Sequence, residues 1–206
     1  MSDPRWERLL TEMRAAHTLP ELAAFCDFPQ DPKAQATAPH EIPASELLQD
    51  EEGLKTEHYT GFRDALINAA PLAHWRETYK GTDIGGEFLD RFGCYEVLGE
   101  DAPYACDTMR CFIIYAPSDL YYPWHHHPAE ELYLVLAGEA EFFIHGEPPK
   151  ILRPGDTVFH ESNVPLGLSK LVLSRGHRAK AHRPEQDAHG LSSHGARCFR
   201  ERPYRR

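Results

Sequence analysis

The apolar residues of this chain change period near residue 88, and that change limits the folds open to it. Before it, Trp6, Leu9, Leu10 and Met13 recur at helical spacing, and Leu19 opens a second segment with Leu22, Ala23, Ala24 and Phe25. Phe62, Ala65, Leu66, Ala69 and Leu72 fall at i, i+3, i+4, i+7 and i+10. This predicts one or two short helices over 4–28, a short helix over 44–50 and the strongest helix over 59–79. Residues 29–43, rich in Pro, Ala, Asp and Gln, read as a loop. After residue 88 the period is 2, and strands are expected at 93–98, 108–116, 131–137, 139–145 and 156–160. Gly138, His145-Gly146 and Pro148-Pro149 stand at the turns. Many short strands broken by Gly and Pro make a sandwich or barrel. The expectation is therefore a mainly β domain over 88–165 behind a helical region over 1–87.

Charge divides the chain again. Residues 1–165 carry 12 Lys and Arg against 29 Asp and Glu, a net −17, while 166–206 carry 10 against 3, a net +7. The acidic body argues against nucleic acid as a partner. Past Ser174 neither apolar period is sustained, so 166–206 reads as a basic tail without fixed structure. Two other readings stay open for it: an arm for an acidic surface, and a stretch read in a shifted frame.

With 41% hydrophobic and 11% aromatic residues, the chain is not a disordered one. The run Cys111 to Pro117 is far short of the ~20 apolar residues a spanning helix needs. The start, MSDPRWERLL, has no apolar core of a secretory leader. The cysteines Cys26, Cys94, Cys106, Cys111 and Cys198 are odd in number and form no C-x-x-C pair. Reduced thiols in a cytoplasm are expected, not a disulfide scaffold or a zinc finger.

The chemistry concentrates in YYPWHHHPAEELYLVLAG, residues 121–138. His125 and His127 are two apart, so on a strand they share a face, whereas His126 points the other way. Glu131, four further on, can return to that face at the start of the next strand. Two imidazoles and a carboxylate with open positions suit Fe(II), Mn(II), Zn(II) or a similar divalent ion. Tyr133, two after Glu131, presents its phenol on the same face. A polar strand end without a metal is the bland alternative.

The spacing H-x-H, x3, Glu, x6, Gly, followed by Pro154-Gly155-Asp156 and Asn163-Val164-Pro165, resembles the two motifs of a cupin jelly roll. More narrowly, Tyr122-Pro123, the H-x-H, Glu131 and Tyr133 behind a helical N-terminal region resemble the cupin-type dimethylsulfoniopropionate (DMSP) lyases over roughly residues 60–165. The resemblance implies a bacterial, cytoplasmic carbon–sulfur lyase with a small-molecule substrate, no membrane and no nucleic acid, as a monomer or a homodimer. It implies His125, His127 and Glu131 as ligands of a divalent Fe, Mn or Zn, and Tyr122 and Tyr133 as catalytic phenols. Strict alternation from His125 would favour Tyr121 over Tyr122, unless Pro123 breaks it.

One position departs from the family. Its fourth ligand is a His directly after the Val-Pro of the second motif, and here that residue is Leu166. Leu166 leaves three protein ligands and predicts weak or absent turnover. His160 is expected beside the ligands or facing the substrate, with a replacement ligand as the lesser alternative. The implied reaction removes a proton next to the DMSP carboxylate and expels dimethyl sulfide, leaving acrylate. Trp124, Phe143 and Phe159 could hold the sulfonium by cation–π attraction, but a core role is the favoured reading for all three. The rival readings are another metal cupin, a dioxygenase or an isomerase, and an inactive cupin that only binds.

Overall fold

The computed structural model describes residues 2–51, 54–77, 79–81, 84–117, 119–171 and 197–200. Helix α1 spans Pro4–Ala16, with Pro4 in its first turn and the Asp3 carboxylate accepting from the Arg5 N–H. Helix α2 (Pro20–Phe25) follows, then a two-residue strand β1 (Lys33–Ala34), α3 (Pro43–Asp50) and α4 (Thr60–Ala69). The helix expected over 59–79 is thus much shorter. Pro71 has no N–H to give the ladder, and the chain tightens into a single 3₁₀ turn, Ala70–Leu72. It then enters β2 (Trp75–Arg76), and a last short helix α5 (Gly86–Arg91) leads into the β region.

That region holds β3 (Gly93–Gly99), β4 (Tyr104–Ala105), β5 (Arg110–Tyr115), β6 (Tyr121–His125), β7 (Glu130–Leu134) and β8 (Glu139–Ile144). It continues with β9 (Lys150–Leu152), β10 (Thr157–His160), β11 (Leu166–Leu171) and β12 (Arg197–Arg200). The larger sheet runs β1-β4-β3-β5-β12-β7-β10 with β2 beside β3, and the smaller runs β6-β11-β8-β9. Among the described strands the pairings are antiparallel except β3 with β4. This is the cupin-type jelly roll with a helical N-terminal extension. The sheets run on past residue 165 through β11 and β12, within the segment expected to be a tail without fixed structure. The rest of the basic tail, 172–196 and 201–206, lies outside the described residues.

Two apolar layers organise the chain. Trp6, Leu9 and Met13 of α1, Leu48 of α3 and Phe62, Ala65 and Leu66 of α4 pack on Trp75, Tyr95, Val97, Ile113 and Tyr115 of the larger sheet. The second layer holds Tyr122, Tyr133, Phe142, Val158, Leu166 and Leu168 with Tyr79, Phe88 and Phe92. Strand β3 is buried along its whole length, as a strand covered on both faces must be. The Tyr95 hydroxyl donates to Leu66 O at 2.8 Å and ties the last turn of α4 to β3.

Candidate metal centre

The site is built where β6, β7, β10 and their connecting loops meet. In the β7–β10 ladder Glu131 stands directly opposite His160, and both side chains are fully buried. The His160 Nδ1 lies 3.4 Å from Glu131 Oε2. From the loop after β6, His127 brings its Nε2 to 2.8 Å from Glu131 Oε1. His125 closes β6, and its ring lies 5.8 Å from that of His160 and 6.1 Å from that of His127. One ring nitrogen each of His125, His127 and His160 lies within 4.8 Å of the others.

Backbone carbonyls fix these rings. His125 Nδ1 donates to Pro123 O at 2.9 Å, His127 Nδ1 to Ala129 O at 3.0 Å, and His160 Nε2 to Val164 O at 2.6 Å. A carbonyl only accepts, so the nitrogen facing it carries the proton. In the neutral ring the other nitrogen then keeps its lone pair. That leaves His125 Nε2, His127 Nε2 and His160 Nδ1 as donors toward a common point, the outer-shell arrangement metal-binding imidazoles use. The loops are held too: Asn163, at φ 60°, donates its N–H to His127 O at 2.8 Å, and Ser162 Oγ donates to Pro128 O at 2.7 Å. Three oriented imidazoles beside a carboxylate fit a divalent transition metal.

The structure brings His125, His127, Glu131 and Tyr133 together and places His160 beside them, a residue the sequence put next to the ligands more readily than among them. What was missed is register: only the ladder reveals that His160 faces Glu131. Leu166 is the directly opposite partner of His125 on β11 and is fully buried in the inter-sheet apolar layer. The carboxylate thus has imidazole neighbours from β10 and the β6–β7 loop, although position 166 offers none. His126 is only half-buried.

The tyrosines are also ordered by register. Tyr122 is 1% exposed and its ring stacks on His125, with centroids 4.4 Å apart. Between the pairs Leu166–His125 and Leu168–Tyr122, β6 uses one residue more than β11, so β6 carries a bulge around Pro123. The bulge resolves the alternation problem in favour of Tyr122, and Tyr121 is only half-buried. Tyr133 donates its hydroxyl to Glu131 Oε2 at 2.9 Å. Burial pushes its phenol well above the usual tyrosine value, and the neighbouring Tyr122, Tyr79 and Cys94 add to that. Burial also holds the His160 imidazole below its ordinary value, helped by His126 and opposed by the bond to Val164.

The aromatic residues beside His125 are not Trp124, Phe143 and Phe159. Phe159 is 42% exposed and meets Phe25, on the outside. Trp124 and Phe143 lie against each other, on the alternate positions to His125 and to the buried Phe142. The wall beside His125 is instead Tyr122 with Phe92 at 4.9 Å and Phe88 at 5.5 Å between ring centroids. Tyr79 sits edge-on to all three. These side chains come from the Gly-punctuated stretch before β3, where no period marks an inward face, so the sequence carried no signal for them.

Known proteins resemble this chain in sequence and fold. The family model for DMSP lyase matches residues 21–169. The chain is 46% identical over 165 residues to the dimethylsulfoniopropionate lyase DddQ of Ruegeria pomeroyi, covering 80% of this chain and 82% of that one. The crystal structure of DddQ from the same organism superposes with a TM-score of 0.80 at 44% identity, over 82% of this chain and 87% of that one. A structure from a study of the DMSP lyases RdDddP and RnDddQII gives 0.78 at 34% identity, with the same coverage. A family model across most of the chain and a relative of 46% identity place it: this chain belongs to the DMSP lyase family.

Proposed function

We propose that this chain splits DMSP into dimethyl sulfide and acrylate at the His125–His127–His160–Glu131 centre. The observation that carries the reading is the convergence of three carbonyl-held imidazoles on one buried carboxylate, with two phenols against them. These four side chains would hold an Fe(II), Mn(II) or Zn(II) ion. When bound, the ion supplies positive charge that attracts the substrate carboxylate and lowers the cost of a nearby phenolate.

The chain's own residues account for the rest. The proton on the DMSP carbon next to the carboxylate passes to a phenolate oxygen. Its bonding pair forms the carbon–carbon double bond, and the carbon–sulfur pair leaves with dimethyl sulfide. A neutral sulfide departs without an acid. Tyr133 and Tyr122 are the two phenols in reach of the centre, and the hydroxyl of Tyr133 has its proton directed to Glu131. Tyr122, Phe92 and Phe88 form the aromatic surface that a sulfonium would favour, by ~0.5–2 kcal/mol. Burial of the whole centre strengthens each of these electrostatic contacts.

We extend the reading to a cytoplasmic protein, on the strength of an odd number of cysteines without a C-x-x-C spacing, and to a homodimer, for which the exposed Phe159 on the edge strand β10 is a candidate contact. No helix among the described residues is long and apolar enough to cross a membrane. Headspace gas chromatography on protein incubated with DMSP tests the activity. Dimethyl sulfide and acrylate in equal amounts, lost in Tyr133→Phe, are expected, and no product with any of the three metals would overturn the reading.

A further inference from the structure

The Tyr122 hydroxyl has a neighbour that the metal centre alone does not explain. Tyr79 reaches it from outside the sheets, and the two hydroxyls are hydrogen-bonded. Tyr79 is 2% exposed, so this bond has no competing water. Its ring is clamped edge-on between Phe88, Phe92 and Tyr122, at 5.5, 6.1 and 5.8 Å between centroids. An aromatic core would be served as well by a phenylalanine at this position. A buried hydroxyl is costly unless it is bonded, and its partner here is another phenol that lies on a metal-candidate imidazole.

Stacking alone leaves Tyr122 one freedom. Its ring plane is set by His125, at 26° and 4.4 Å, and by Phe88, but the hydroxyl can still rotate about the C–O bond. The Tyr79 hydroxyl removes that freedom and fixes the direction in which the Tyr122 oxygen presents its lone pairs. From this geometry we propose that Tyr79 is a positioning residue for the lyase reaction, acting through the Tyr122 hydroxyl and touching neither substrate nor ligands. The proposal rests on the DMSP lyase reading and on a role for Tyr122 within it.

Four proteins test it: the wild type, Tyr79→Phe, Tyr122→Phe and the double variant, each loaded with the same metal. Tyr79→Phe keeps the ring and removes only the hydroxyl. Its kcat with DMSP should fall about tenfold, the scale of one lost buried hydrogen bond, with KM within about twofold. Bound metal should match the wild type. In the Tyr122→Phe background the same change should have no further effect on kcat, because the hydroxyl through which Tyr79 acts is already gone. An equal loss in both backgrounds would overturn the proposal, as would a kcat for Tyr79→Phe equal to that of the wild type. A drop in thermal midpoint that alone explains the loss would show as reduced active enzyme in a burst or active-site titration, and this too would overturn it. If the wild type itself forms no dimethyl sulfide, the lyase reading has failed, a result distinct from all of these.

Discussion

Tyr122 stacks on His125 with ring centroids 4.4 Å apart, although the two lie three positions apart along one strand. In a regular strand residues three apart face opposite sides. The extra residue of β6 around Pro123 turns both inward and puts a phenol on a metal-candidate imidazole. Deleting Pro123 should restore regular alternation and swing Tyr122 out while leaving His125 opposite Leu166. Dimethyl sulfide formation should then fall at least ~100-fold, the scale expected when a positioned catalytic group is misplaced. Bound metal, read by elemental analysis, should fall much less.

His160→Ala removes one of three imidazoles while sparing the loops that hold the other two. Metal affinity should fall by more than the ~10–100-fold seen for outer-shell partners. Competition with a chromophoric chelator measures it. An unchanged affinity would place His160 outside the ligand set.

Leu166→His adds an imidazole directly opposite His125, on the same face of the smaller sheet. Bound metal on titration should rise. Leu166→Ala, in contrast, opens a cavity at a fully buried position and should cost ~2–5 kcal/mol in denaturant unfolding without strengthening metal binding. No rise for the His variant would mean that the inter-sheet layer keeps that side chain away from the ion.

Much of this arrangement was legible in the sequence, and the losses have physical reasons. The spacing of His125, His127, Glu131 and Tyr133 sufficed because the chain runs from β6 through a short loop into β7. The nearness of His160 to Glu131 depends on pairing with a strand some thirty residues away, which no local period reports. For the same reason the absence of an imidazole at Leu166 could be read from one motif, while the histidine brought in by the next ladder could not. Strand β6 was not drawn as a strand, because Pro123 and the bulge break its alternation. The long helix over 59–79 was overdrawn because Leu72 kept the apolar period past Pro71, a residue that ends the ladder whatever the pattern.

Helices and sheet share one apolar layer, so stability should depend on their contact. A Cβ on Gly93 would lie 2.7 Å from two Trp75 ring atoms and 3.0 Å from the Ala44 Cβ. Trp75 is fully buried and donates its indole N–H to Ala70 O, so it cannot yield easily. Gly93→Ala should destabilise the protein by ~1–3 kcal/mol, seen as a lower urea midpoint at unchanged slope.

The central claim is that turnover needs a metal held by His125, His127, His160 and Glu131. The most direct measurement is headspace dimethyl sulfide from chelator-stripped protein, before and after adding back Fe(II), Mn(II) or Zn(II), for the wild type and for Glu131→Gln. Glu131→Gln keeps the shape of the side chain and removes the charge that faces two imidazoles. Stripped wild type should give no product and should recover with at least one ion. The variant should recover little or not at all at the same metal concentration. Full turnover by the stripped protein, or equal recovery by Glu131→Gln, would contradict it.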